Sequence, residues 1–273
     1  MRCLAGVAVL LGFAVLAWGC YQVERGIGAP QRTQAHPGLQ MVSLGDPLEG
    51  SEQVVLVVAD DWTSSKGELA FFERGREDGA PWKMISGPYP VSLSKDGLAW
   101  GRGLHVRKPG WGAVKTGQAA SPAGVFNLVS AFGVQPAEQV RKNGVKMGYA
   151  QMGKDDVCIT DPASGLFNTL LNCGLACPIL CDMSNSVSLY QDSFAWGIVV
   201  GHNTSGTDMR SGGCVFLHLE AGGRGSVSGG TAMPAEAMES LLSGLDPNSD
   251  PVLVQLPRKE YELLREPWSL PSL

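Results

Sequence analysis

The sequence predicts a mainly β fold of α+β type with a few helices, occupying one domain over residues 45–273. Three observations lead there. One apolar run, Val54-Val55-Leu56-Val57-Val58, is rich in β-branched residues and has the length of a buried strand. Further short runs of β-branched and aromatic residues recur between stretches dense in Gly and Pro. Helical spacing is confined to two segments near the C-terminus.

Taken in order, the first strand is expected over Gln53 to Ala59, followed by strands over Glu68 to Glu73 and Trp82 to Ile85, with the turn-rich stretch Gly75 to Pro81 between them. This opening reads as an antiparallel meander. Gly87 to Gly117 is crowded with Gly, Pro, Trp and Lys, and Gly124 to Leu128 is the next strand. Phe194 to Val200 and Gly213 to Leu219 follow as strands. Pro234 to Leu245 reads as a helix with Met233, Ala237, Leu241 and Leu242 near one face, and Pro at its first turn suits that start. Val252 to Leu256 is a closing strand and Arg258 to Arg265 a short terminal helix. The sum is a mostly antiparallel sheet structure without internal repeats.

Residues 1–20 have the order of parts of an export leader: a positive start at Arg2, an uncharged apolar run from Leu4 to Ala17, and small residues at Ala17 and Gly19 around the cleavage point. The run is shorter than the roughly 20 apolar residues of a spanning helix, so the mature chain is expected to have no transmembrane helix. Cys20 stands where a bacterial lipoprotein would carry its lipid anchor, although Ala17 and Trp18 match that pattern poorly. Residues 21–44 lack periodicity and read as a linker. The protein is therefore expected to be exported, to the periplasm, cell envelope or extracellular space.

Composition is that of an ordinary folded protein, 44% hydrophobic and 17% charged, and the net charge of −5 with no basic patch argues against nucleic acid as a partner. Beyond Cys3 and Cys20, the cysteines Cys158, Cys173, Cys177, Cys181 and Cys214 are odd in number and compatible with two disulfides and one free thiol, the pairing being open. Even spacing in Cys173, Cys177 and Cys181 suits metal ligation on a helix, but Pro178 interrupts such a helix. Disulfide bonding is the preferred reading. No metal and no cofactor is expected.

The segment Gly212-Gly213-Cys214-Val215-Phe216-Leu217-His218-Leu219 carries the chemistry. Strand alternation places Phe216, His218 and Glu220 on one face and Val215, Leu217 and Leu219 on the other, so His218 need not lie in the apolar layer. A glycine-dense stretch follows and ends at Gly229-Gly230-Thr231-Ala232-Met233, next to the expected helix start, whose unpaired N–H groups would suit an oxyanion.

This layout resembles the L,D-transpeptidase family, also called YkuD-type, in the exported branch with a Phe-Leu-His strand and a later Gly-Cys-Val-Ala-Met loop. Lys115-Thr116 followed by Ser121-Pro122-Ala123-Gly124-Val125-Phe126 is similar to that family's Lys and Thr-Pro-Ala-Gly-Val-Phe stretch, though Gln118-Ala119-Ala120 stand where acidic residues are usual. Cys158, Asp161-Pro162, Ser164 and Phe167-Asn168 resemble its Cys, acidic pair, Pro, Ser, Tyr-Asn segment. Trp196 to Val200 ending in His202-Asn203, and Leu245-Asp246-Pro247 with Pro251 to Val254, resemble its later strands.

The resemblance implies a YkuD-like β-sandwich acting on peptidoglycan stem peptides, in which a cysteine thiolate attacks the peptide carbonyl and a histidine takes its proton. His218 falls on the base position. The nucleophile position falls on Gly230, so the expected cysteine is missing. Cross-linking or trimming of the cell wall would then be impaired, or replaced by binding of wall peptides without chemistry; an extracellular scaffold unrelated to wall is the third reading. Ser228 and Thr231 are expected around the site, His202 either there or as a structural residue, Cys214 as a packed or disulfide-bonded residue and His105 as a loop residue. The bland reading of His218 is a strand histidine bonded to the backbone. Trp62, Trp82, Trp100, Trp111 and Trp196 read as core anchors, with Trp100 and Trp111 alternatively lining a groove.

Overall fold

The computed structural model describes residues 45–273 except 78, 107–111, 113, 118, 173–184, 205–207 and 221–228. The leader, the linker, Cys20, Cys173, Cys177, Cys181, Trp111 and Ser228 lie outside the described residues.

The first strand, β1 (Gln53–Ala59), spans the predicted residues, and all seven are buried. It is flanked on one side by β2 (Lys66–Glu73), antiparallel, and on the other by β13 (Val252–Pro257), parallel. Burial on both faces explains why its sequence is continuously apolar rather than alternating. Each of its Val and Leu side chains stabilises the fold by roughly 1.5–3 kcal/mol through burial. β3 (Lys83–Ser92) completes the meander and is longer than the sequence suggests, running through Pro88 and Pro90 after a register shift between Leu69 and Phe71 of its partner. Around these strands lie the short β4 (Leu98–Trp100), the long β5 (Ser121–Gly133) and β6 (Tyr149–Gln151). The remaining strands of this sheet are β10 (Trp196–Val200), β11 (Phe216–Leu219) and β12 (Thr231–Met233).

The expected sandwich is replaced by a closed sheet. β5 pairs through Gly124 to Asn127 with β13 and through Leu128 to Gly133 with β10, so the order β10-β11-β12-β3-β2-β1-β13-β5 returns to its own start as a barrel. A strand of 13 residues can serve two neighbours in this way. Closure removes the free edges that an open sheet would leave. Most pairs in the ring are antiparallel, as expected, with β1–β13 and β11–β12 parallel. β4 and β6 add to β5 in parallel.

A second sheet holds β7 (Asp156–Ile159) between β8 (Leu170–Asn172) and β9 (Ser186–Ser188). A disulfide, Cys158–Cys214, ties β7 to the segment that enters β11. Among the described residues there are three α-helices: α1 (Ala137–Lys142), α2 (Ala235–Gly244) and α3 (Arg258–Leu264). α2 buries Ala237, Met238, Leu241 and Leu242, the 3.6-residue stripe expected of it, and packs against β3 and β11. Met233 belongs instead to β12, so a strand intervenes between Gly230 and the helix, and the helix N-terminus is not adjacent to Gly230.

Candidate active site

Register alone brings His218 and Gly230 together. Parallel pairing of β11 with β12 sets Leu217 beside Thr231 and His218 beside Ala232, so the residue preceding β12 falls next to Phe216 and His218. A Cβ built on Gly230 lies 3.4 Å from Nε2 and 3.3 Å from Cδ2 of His218. It also lies 2.7 Å from the Phe216 carbonyl oxygen, closer than such atoms approach, so any side chain here requires a shift of the backbone by a few tenths of an ångström. The carbonyl of Gly230 accepts a hydrogen bond from the buried Ser121 hydroxyl at 2.6 Å.

The orientation of His218 is fixed from both ends. Nδ1 bonds the Leu219 carbonyl oxygen at 2.9 Å; a carbonyl only accepts, so Nδ1 carries the proton and Nε2 keeps its lone pair. That lone pair is on the ring edge that faces Gly230. Contrary to the alternation argument, His218 is buried at 7% exposure, because the face it shares with Phe216 is covered by an aromatic cluster. Phe194 meets its ring edge-on at 5.2 Å, and Phe132, Phe194 and Phe216 contact one another at 5.0–5.9 Å. Burial holds the His218 pKa below its ordinary value, opposed by the Leu219 carbonyl and the Glu220 carboxylate. The imidazole is therefore neutral at pH 7 and able to accept a proton or hydrogen bond at Nε2.

Two other candidates, the Thr231 hydroxyl and the Cys214 thiol, are engaged elsewhere. Thr231 is 1% exposed, and its hydroxyl donates to Oε1 of Gln255 at 2.7 Å, while Nε2 of Gln255 donates to the Pro122 carbonyl at 2.8 Å. Cys214 is consumed by its disulfide. Neither presents a nucleophile to His218.

His202 is not part of this site. It follows β10 at the far end from Gly197, the residue opposite His218. It is 1% exposed; Nε2 donates to the Ser211 carbonyl at 3.1 Å and Nδ1 accepts from the Arg102 amide at 3.3 Å. Burial pushes its pKa down to about 4, opposed by the Ser211 carbonyl, and the neighbouring Lys115, His105 and Arg102 add to the lowering. The turn after it is held by amides: Asn203 donates to the Asp208 and Gly212 carbonyls, and Asn168 donates to the His202 and Asn203 carbonyls while accepting from the Cys214 amide. This network aligns the start of the segment that carries His218.

Two buried residues were not singled out as functional by sequence. His105 packs among Trp100, Phe126 and Trp268, and a Cβ on Gly124 would fall 2.0 Å from its ring, which, with φ +131°, explains why glycine ends the Pro-Ala-Gly stretch. Lys115 is fully buried, donates to the Gly117 carbonyl, and has its pKa pushed down to about 8 by burial. Trp100 is 2% exposed and is a core anchor rather than a groove wall.

Comparison of the chain with protein-family profiles, curated sequences and solved structures finds no match. Among the described residues, no helix is long and apolar enough to cross a membrane.

Proposed function

We propose that this chain is an exported YkuD-type, L,D-transpeptidase-like protein that binds peptidoglycan stem peptides without transferring their acyl group. One observation carries this reading: the Nε2 lone pair of His218 faces the position, 3.4 Å away, where a side chain on Gly230 would begin. A base held in the required tautomer beside a missing side chain is the arrangement left when a nucleophile is lost and its surroundings are kept. Loss of a nucleophile costs on the order of a millionfold in rate in enzymes of this logic. His218 then serves a bound peptide as a hydrogen-bond acceptor for an amide N–H.

The test is incubation with a stem tetrapeptide, followed by intact-protein mass spectrometry, assay of released D-alanine, and calorimetry. Saturable binding with no mass change and no D-alanine is the expected result. A covalent adduct or D-alanine release overturns the loss of chemistry, and absence of binding overturns the wall-peptide reading.

A further inference from the structure

The sheet face that carries His218 also carries a carboxylate. Register aligns one residue from each of four strands in a row: His218 on β11, Ala232 on β12, Ser92 on β3 and Lys66 on β2. Glu220 follows His218 by two residues, and its amide donates to the Met233 carbonyl at 3.0 Å, which carries the β11–β12 pairing one residue further. Alternation therefore puts Glu220 on the His218 face, about 7 Å along the chain at the strand rise. The Glu220 side chain crosses β12, which offers only Gly230 and Ala232 on this side, and its Oε1 accepts from the Ser92 hydroxyl at 2.9 Å.

Both groups accept hydrogen bonds and neither donates one outward. The single proton of His218 is spent on the Leu219 carbonyl, and its buried Nε2 lone pair is turned to Gly230. Glu220 is exposed and close enough for its charge to act on the His218 ring. Among the described residues it forms no ion pair; Lys66, exposed in the same row, is not joined to it. A carboxylate steadied by a neutral hydroxyl keeps its charge for a ligand, and bonds from a cation to a carboxylate are the stronger kind. The pair is thus complementary to a molecule with two donors a few ångströms apart, an amide N–H for the buried imidazole and a cation for the exposed carboxylate. A diamino acid residue within a peptide supplies both, its ammonium bringing three donors on a flexible stem.

We propose that Glu220 is a specificity-determining residue that binds the free side-chain ammonium of a diamino residue in a stem peptide, while Nε2 of His218 accepts a backbone amide N–H of the same peptide. Ser92 aims the carboxylate. This inference rests on the stem-peptide reading and narrows it to peptides that carry an unblocked side-chain amine.

The experiment is calorimetric titration of the full chain with two stem tetrapeptides, one with lysine at the third position and one with norleucine there, which keeps the stem and lacks the ammonium. The lysine peptide is expected to bind about fivefold more tightly, the scale of an ion pair at an exposed carboxylate. In Glu220→Gln, which retains an oxygen for the Ser92 hydroxyl, that preference falls below about twofold with unchanged Tm, through loss of affinity for the lysine peptide alone. Glu49→Gln, at an exposed carboxylate elsewhere, leaves the preference intact. Equal binding of the two peptides by the unaltered protein, or a preference that survives Glu220→Gln, overturns the role of Glu220 and leaves the stem-peptide reading standing. Failure of both peptides to bind overturns the stem-peptide reading itself, so the two fail separately.

Discussion

Ser121 and Gly230, 109 residues apart in sequence, are joined by a buried hydrogen bond of 2.6 Å from hydroxyl to carbonyl, and the same hydroxyl accepts from the Ser94 amide at 2.9 Å. One side chain thus satisfies two backbone groups and fixes the position opposite His218. Ser121→Ala orphans both groups and is expected to lower stability by about 2 kcal/mol. Urea unfolding checks this; a midpoint equal to that of the unaltered protein would show that water or a neighbour replaces the hydroxyl.

Gly230→Cys is expected to place a thiol in contact with Nε2 of His218, after a small backbone shift away from the Phe216 carbonyl. The neutral imidazole takes the thiol proton, so alkylation mapped by peptide mass spectrometry should be at least tenfold faster than in the double variant with His218→Phe. Equal rates would mean that the shift carries the thiol away from the ring. Recovery of D-alanine release in the single variant would show that the remainder of the site is intact.

Thr231→Val keeps shape and removes the hydroxyl that donates to Gln255. A buried Oε1 is left without its donor, for an expected loss of about 1–3 kcal/mol in thermal or urea unfolding. Because that hydroxyl points at Gln255 and not at His218, tetrapeptide binding should be unaltered; a fall in affinity with preserved stability would place Thr231 in the binding site after all.

The elements legible in sequence are those whose burial writes a local pattern. β1 is covered on both faces and shows it as an unbroken apolar run, and α2 shows its buried stripe. What was not legible depends on pairing or on backbone conformation. Barrel closure follows from the two partners of β5, and nothing within Ser121–Gly133 declares the second one. Pro88 and Pro90 read as strand breakers, yet β3 continues through them. β12 is only three residues long and merges with the helix pattern after it. The site divides the same way. His218 and Gly230 were found from motif order, and their contact follows from the β11–β12 register. Sequence order leaves His202 between a structural place and one beside them, and its bonds to the Arg102 amide and Ser211 carbonyl make it structural. Asn168, Asn203 and Cys214 adopt φ of 61°, 58° and 54°, a left-handed geometry that their side-chain network supports and no periodicity reveals.

The Cys158–Cys214 bridge links positions 56 apart and joins the second sheet to the segment leading into β11. Removing it by Cys158→Ala with Cys214→Ala is expected to cost about 2–4 kcal/mol, mainly by freeing the unfolded chain. Since the Cys214 amide also donates to the Asn168 side-chain oxygen, hydrogen exchange at residues 214–219 should rise more than exchange in β1. Uniform exchange across both would argue that the bridge acts on global stability alone.

His202 should make the fold sensitive to mild acid. In the folded protein its pKa is about 4, because burial penalises the imidazolium, whereas in the unfolded chain it returns to about 6.5. Above pH 6.5 neither state is protonated and the group has no effect. As pH falls from 6.5 toward 4 the unfolded chain binds a proton that the folded one refuses, so stability declines, by on the order of 3 kcal/mol over that window. His218, whose pKa is also lowered, acts in the same direction, while the depressed carboxylates Asp61, Asp208 and Asp246 act only at lower pH. His202→Asn should be less stable at pH 7, having lost the bonds to Ser211 and Arg102, but should show a flatter decline between pH 6.5 and 4. Urea unfolding across that range decides it: an equally steep decline in the variant would assign the acid sensitivity to other groups.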